Sequence, residues 1–296
     1  MTPVRQTGTH VPVMPTEVMS YLNIFTDGIY IDGTVGLGGH ATLILNRLSK
    51  KGHFIGIDRD AEALSLSTKR LSSHPTPFSL FHDSFHNLNA ILDGMGISQV
   101  NGILLDLGLS SLQLDSPLRG FTYTVDSDLD MRFDTSQKIK AIHILNQLPV
   151  KELANLIYQY GEEKRSRAIA SSIVKLRPLH TVFDLVEAIR RSTPPNFRNR
   201  SIARVFQAIR IKVNGELEKL DTFLSSFYSR LAIGGRIAII SFHSLEDRRV
   251  KHCFKHLANE KKVSILTKKP LVPTPEELSE NRRSKSAKLR VAERIS

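Results

Sequence analysis

Three aspartates and a glycine run in the first hundred or so residues have the types and spacing to hold a charged small molecule. Asp32-Gly33-Thr34-Val35-Gly36-Leu37-Gly38-Gly39-His40 follows a short β-rich run and precedes a segment with helical spacing, while Asp58 and Asp106 each close a later β-rich run. Gly36, Gly38 and Ala41 match the G-x-G-x-x-A form of a nucleotide-binding loop, and Asp58 sits about 20 residues on, where an acid meets ribose hydroxyls. Both nicotinamide dinucleotides and S-adenosylmethionine bring an adenosine ribose to such a loop. Asp32 separates them. A carboxylate there opposes a pyrophosphate but attracts the sulfonium and ammonium of S-adenosylmethionine, by roughly 4 kcal/mol at about 4 Å and an effective dielectric of 20. The methyl donor is the favoured ligand, and a nicotinamide-dependent oxidoreductase is the alternative.

The elements that must position these residues are visible as hydrophobic runs. Residues 28–32, 53–58, 78–81, 102–106 and 235–241 are near-continuous apolar segments, the pattern of parallel strands buried on both faces. Helical spacing over 41–48 and 60–71 supplies crossovers, and strand-like 263–267 and 288–293 follow a helix at 245–257. The gap before the run at 235–241 far exceeds one crossover helix. Its apolar residues, over 142–148, 150–160, 162–176, 182–191 and 201–213, recur at helical spacing and are punctuated by Pro149, Pro178, Pro194 and Pro195. The expected architecture is α/β: a Rossmann-like seven-stranded mixed sheet with an inserted helical domain. The ligand-binding domain is expected over 1–112 and 213–296, and the inserted substrate-recognition domain over 113–212.

Composition narrows the classes further. The 296 residues include 41 Lys plus Arg against 29 Asp plus Glu, a net charge of +12, which draws a soluble protein to polyanions. The cations gather in two stretches, Arg190, Arg191, Arg198, Arg200, Arg204, Arg210 and Lys212, then Arg282, Arg283, Lys285, Lys288, Arg290 and Arg294. Phe197 and Phe206 interleave the first stretch, a combination suited to RNA, with guanidinium groups on phosphates and a base on an aromatic face. A single cysteine, Cys253, cannot form an internal disulfide, and no apolar run approaches bilayer length. A cytoplasmic protein is expected, with no membrane partner.

The chain resembles the ribosomal small-subunit RNA cytosine N4-methyltransferase family (RsmH, also called MraW) along nearly its whole length. The likeness rests on His10-Val11-Pro12-Val13, the 32–40 loop, Gly56-Ile57-Asp58-Arg59-Asp60, and the run Asp106-Leu107-Gly108-Leu109-Ser110-Ser111-Leu112-Gln113-Leu114-Asp115. Further blocks are Arg119-Gly120-Phe121, Leu129-Asp130-Met131-Arg132, Phe206-Gln207-Ala208-Ile209-Arg210, 241–248 and 288–294. Leu112 stands where the family usually has proline, and the segment around 270–278 is shorter than in longer relatives. The resemblance implies a class I methyltransferase fold and transfer of a methyl group from S-adenosyl-L-methionine to the exocyclic N4 of one cytidine. That cytidine lies in the decoding region of 16S ribosomal RNA, reached in the small ribosomal subunit. It also implies donor contacts at Gly38, Gly39, His40, Asp58, Phe85, Asp106 and Gln113.

Methylation of an exocyclic amine needs no covalent intermediate, so the protein's task is positioning and electrostatics. Asp106, at the end of a strand, is the candidate catalytic group, holding a proton as charge develops on the amine. Ser110 and His243 are further candidates at strand ends, and Ser244 with Asp247 also fits a helix capping box. Cys253, in a helical setting away from the strand ends, is expected to be structural. The pairs His82/His86 and His252/His256 lack a third ligand, so no metal is expected. The rival functions are methylation of another nucleic-acid amino group, the oxidoreductase, and a non-catalytic ribosome assembly factor.

Overall fold

β-Branched and aromatic residues dominate the strands, and their register sorts them onto two faces. The computed structural model describes residues 12–296, so His10 and Val11 of the N-terminal motif lie outside the described residues. Strands β1 (Ile29–Asp32), β2 (His53–Asp58), β3 (Phe78–His82), β4 (Val100–Asp106), β5 (Leu231–Ser241), β6 (Val263–Ile265) and β7 (Lys288–Arg294) form one seven-stranded sheet in the order β3-β2-β1-β4-β5-β7-β6. β1 to β5 run parallel, and β7 runs antiparallel to both β5 and β6.

The chain divides into two compact units, one running to Gly108 and resuming at Glu218–Ser296, the other Leu109–Leu217. Within the first unit, Ile31 is in register with Ile55 and Ile103, and Ile103 with Ile237. That row packs with Phe223, Phe227 and Phe254 on one face, while Tyr30, Phe54, Leu104 and Ala238 pack with Met14, Val18 and Ile44 on the other. Adjacent residues of a strand face opposite ways, so two cores grow from one sheet. Each fully buried aliphatic side chain in them contributes about 1.5–3 kcal/mol. The helices that carry the outer halves of these cores are α1 (Pro15–Leu22), α2 (Gly39–Leu45), α3 (Ala61–Leu71) and α4 (Leu88–Gly94).

The second unit is helical: α5 (Ser111–Asp115), α6 (Ala141–Gln147), α7 (Val150–Gly161), α8 (Ser166–Lys175), α9 (Val182–Arg191) and α10 (Arg198–Asn214). Their apolar faces close a core through Leu145, Leu153, Ile157, Ile169, Leu185, Val205 and Ile209. α8 starts later than the expected 162 because Glu162 takes a left-handed conformation, φ 49°, and caps α7 instead. Two sequence blocks fold into one clasp here. The Arg119 guanidinium donates to the Arg132 and Phe133 carbonyls, each at 2.9 Å, and Asp130 pairs with Arg132 at 2.7 Å. The Asn214 side chain fastens this clasp to α10 through the Met131 carbonyl and the Phe133 N–H, both at 2.8 Å.

The chain returns to the first unit within α11 (Glu216–Ser226), and α12 (Ser244–Asn259) and α13 (Pro275–Glu280) complete it. The cap expected on Ser244 with Asp247 falls one residue earlier. His243 is the N-cap, its ring accepting from the Glu246 N–H while the Glu246 carboxylate reaches back to the His243 N–H. Ser244 cannot cap because it is already the first helical residue. Among the described residues, no helix is long and apolar enough to cross a membrane.

Candidate active site

Asp32, Asp58 and Asp106 end β1, β2 and β4, three neighbouring parallel strands, so their carboxylates collect at one edge of the sheet. This is the edge at which open parallel sheets bind ligands. Asp32 is 1% exposed. Its Oδ1 accepts from the Thr34 N–H at 3.0 Å and the Thr34 hydroxyl at 3.4 Å, while its Oδ2 is buried with no hydrogen-bond partner. Burial pushes its carboxyl up to about 7, against the Thr34 N–H, and the nearby Asp58 charge pushes the same way.

Asp58 is also raised by burial, opposed by three backbone donors, the N–H groups of Asp60, Gly36 and Arg59. Its Oδ1 accepts from the Asp60 N–H at 2.9 Å and its Oδ2 from the Gly36 N–H at 2.7 Å. The residue expected to meet a ribose therefore also pins the glycine loop, and with three backbone donors on its two oxygens it keeps acceptor capacity for about one more hydrogen bond. Asp106 is raised well above the usual carboxylate range by burial, then by the charges of Asp32, Glu246 and Glu277. Its Oδ1 is buried without a partner, and its Oδ2 lies 3.7 Å from His40 Nε2. His40, 5% exposed on α2, is the basic group beside it.

Thr34 was not singled out from the sequence, although it ties the site together. Its hydroxyl accepts from the Asp106 N–H at 2.7 Å as well as donating to Asp32, joining the loop after β1 to the end of β4. The signal was present as a hydroxyl two residues after a strand-terminal aspartate, a common local turn partnership.

The glycines give the loop its shape. Gly36 and Gly38 take left-handed φ values of 50° and 79°. Gly33 lies where any side chain collides: a Cβ there would stand 2.4 Å from Leu105 Cδ2 and 3.0 Å from Phe85 Cβ. Gly33→Ala is expected to destabilise the chain by about 1–3 kcal/mol through overpacking, checked by thermal denaturation. Gly39 faces Pro12, whose Cβ would be 3.2 Å away from an added methyl.

Phe85 opens a short 3₁₀ turn after β3, half-buried, with its ring edge-on to Phe223 at 5.6 Å. The structure thus brings Gly38, Gly39, His40, Asp58, Phe85 and Asp106 into the first unit. Gln113 belongs to the second, where its side chain accepts from the Ser110 N–H at 3.1 Å and its own N–H donates to the Ser110 hydroxyl at 3.2 Å. Ser110 is thereby engaged as a helix cap. Cys253 sits among core residues, its thiol donating to the Leu224 carbonyl at 3.5 Å and pushed up to about 11 by burial, so it offers no thiolate at neutral pH. His82 bonds the Arg59 carbonyl at 3.0 Å and His256 lies 3.4 Å from Glu260.

The expected RNA-facing aromatics divide. Phe206 is 5% exposed and packs edge-on against Tyr123 at 5.5 Å, so it is core and offers no free face to a base. Ile202, Val205 and Ile209 beside it on α10 are buried too, so this basic helix has a hidden apolar side. Phe197 is 44% exposed, with the Arg165 guanidinium 5.7 Å from its ring. Several cations are engaged internally: Arg210 bidentately with Glu216 at 2.9 Å, Arg204 with Glu163 at 3.6 Å, and Arg290 with Asp247 at 2.6 Å. Arg190, Arg200 and Lys212 are exposed to solvent.

A buried cluster of carboxylates with unpartnered oxygens beside a glycine loop fits a small organic cation. It disfavours a pyrophosphate, which would add negative charge to groups already forced toward neutrality. With the β3-β2-β1-β4-β5-β7-β6 order and β7 reversed, the fold is that of the class I methyltransferases. The model of the MraW methylase family matches residues 7–295, and the chain belongs to that family. Among its relatives, ribosomal RNA small subunit methyltransferase H of Thermosipho africanus is 49% identical over 290 residues, covering 97% of this chain and 98% of that protein. The proteins of the same name from Kosmotoga olearia and Fusobacterium nucleatum are 47% and 44% identical, each alignment covering 97% of both chains.

Proposed function

We propose that this chain is an S-adenosylmethionine-dependent methyltransferase of small-subunit ribosomal RNA, acting on the N4 amine of a cytidine. The observation that carries the first half is the Asp32 carboxylate, buried, half-unpartnered and held at the mouth of the glycine loop. The relatives' names and the net charge of +12 carry the second. When bound, the donor supplies a methyl group on a sulfonium cation.

The chain's own residues do the rest. Asp32 provides the counter-charge, and Gly38 and Gly39 let the backbone close on the ligand. Asp58 has acceptor capacity left for a ribose hydroxyl, and Phe85 offers an apolar edge to an adenine. His40 and Asp106 would accept hydrogen bonds and a proton from an amine brought to the same edge. The amine's lone pair is delocalised into its ring, so removing its proton while aligning the nitrogen is where these two groups would lower the barrier. Gln113 is included as a donor contact, and the helical unit Leu109–Leu217 as the part that meets RNA, through Phe197, Arg190, Arg200 and Lys212.

Mass spectrometry of small-subunit ribosomal RNA after incubation with protein and donor tests the proposal. One added methyl on a cytidine N4 is expected; a methyl on another atom, or none, overturns it. With about six phosphates contacted, RNA affinity is expected to fall roughly a thousandfold between 50 and 200 mM salt, measured by filter binding. A flat salt response would rule out the basic surface as the RNA-binding face.

A further inference from the structure

A cavity of about 430 Å³ opens in the first unit, lined by Lys251, Phe254, Lys255, Ala258, Ile265, Thr267, Lys268 and Arg290. That volume is in the range of small-molecule sites. Its wall is α12, with Phe254 and Ala258 one turn apart, and its floor is the β6–β7 pair. The interior is apolar, and the Thr267 hydroxyl is already engaged, accepting from the Val291 N–H at 2.9 Å.

The rim is cationic and uncompensated. Some surface cations of this unit find acids, Arg230 with Asp93 at 2.5 Å, Arg249 with Asp221 at 3.0 Å and Lys262 with Glu260 at 2.9 Å, while others such as Lys50, Lys51 and Lys69 are exposed and make no ion pair among the described residues. Asp247 lies beside the cavity, but it is taken by Arg290 at 2.6 Å and Lys288 at 3.8 Å. Lys251, Lys255 and Lys268 are exposed and make no ion pair among the described residues. Three ammonium groups around an apolar hollow match a nucleotide, with its base inside and its phosphate at the rim. Arg290 is opposite Ile239, two residues from the carboxyl end of β5, while Ile265 is level, through Ala292, with Ile237 nearer the middle of that strand.

We propose that this cavity, rimmed by Lys251, Lys255 and Lys268, is an accessory site for one nucleotide of the RNA substrate, distinct from the donor pocket. The site anchors the RNA by base burial and phosphate contact while another nucleotide is methylated. This rests on the proposed function, since it assumes an RNA substrate.

Lys251→Ala, Lys255→Ala and Lys268→Ala combined are expected to weaken binding of small-subunit ribosomal RNA roughly tenfold or more. The log–log salt slope should drop by about 1 as the phosphate contact is lost. S-adenosylmethionine affinity by calorimetry and thermal stability should stay at wild-type values. Unchanged RNA affinity and slope in a folded triple variant would overturn the site. Should the variant not fold, photo-crosslinking of 4-thiouridine-substituted ribosomal RNA to the wild-type protein decides: a crosslink within residues 251–268 supports the site, and crosslinks confined to other peptides overturn it. Methyl transfer by the wild-type protein separates the two levels. No transfer to ribosomal RNA fails the functional proposal, whereas transfer equal in wild type and triple variant, with equal RNA affinity, fails the accessory site alone.

Discussion

Asp32→Asn is expected to cut affinity for S-adenosylmethionine at least about a hundredfold while making the ligand-free chain more stable at pH 8. The affinity loss follows from removing a buried counter-charge: attraction across about 4 Å at an effective dielectric of 20 is near 4 kcal/mol, of which about two-thirds already gives a hundredfold. The stability gain follows from burial. Folding raises this carboxyl from 3.8 to about 7, so the fold favours its neutral form. Stability from such a group is present in full below pH 3.8 and is lost as pH rises through about 7. At pH 8 the ionised group costs the fold roughly 2–4 kcal/mol, and the amide avoids this. A buried amide N–H₂ where Oδ2 now lacks a partner returns about 1–3 kcal/mol of that, leaving a net gain of about 1 kcal/mol. Denaturant titrations at pH 5 and pH 8 should show the variant's advantage growing with pH. In wild type, protonation competes with the cation, so donor affinity should fall about tenfold from pH 8 to pH 6. An Asp32→Asn chain that binds donor as wild type does would remove the cation-selecting role from this residue.

Much of the architecture was written in local pattern. β2 and α9 have the limits that periodicity predicts, because each is bounded by residues that end it: Gly52 and the Asp58 turn for the first, the Thr181 cap and Ser192 for the second. What pattern could not carry was partnership. β7 buries an unbroken run from Leu289 to Ala292, as the parallel strands do, so nothing in its composition marks it as reversed. β5 begins at Leu231, earlier than the expected 235, because Val100 pairs with Leu231 across a register shift that has no sequence signature.

The same limit governs the site. The three strand-terminal aspartates and the glycine loop were legible as types in positions, since a strand end followed by glycines constrains what can sit there. Their mutual electrostatics were not, because the distance between β1, β2 and β4 depends on the strand order. Phe206 shows the opposite failure. A helix with arginines on one side reads as an RNA surface, but Phe206 belongs to its other, packed side. Ser110 and His243 were legible as strand-end polar groups, and their work as helix caps became visible only with the N–H groups they satisfy.

Asp106→Asn is expected to lower the single-turnover rate of methyl transfer about 10²–10³-fold while leaving S-adenosylmethionine affinity within a few-fold of wild type. The two aspartates differ in what surrounds them. Asp32 has one oxygen anchored by the Thr34 N–H and hydroxyl, which holds its carboxylate in place at the loop. Asp106 carries a bare Oδ1, has His40 Nε2 at 3.7 Å from its other oxygen, and is pushed well above the carboxylate range by burial and by three neighbouring acids. A carboxylate raised in this way is a stronger base than its free counterpart, and an attacking amine must lose a proton as its nitrogen becomes cationic. Asparagine keeps the shape and a hydrogen-bond acceptor but cannot take that proton. The pH profile gives the sign: wild-type rate should climb with pH as Asp106 ionises, with a midpoint above the ordinary carboxylate value, and that limb should vanish in the variant. If donor affinity in Asp106→Asn falls in step with the rate, the residue is a donor contact, and the proton must leave by another group.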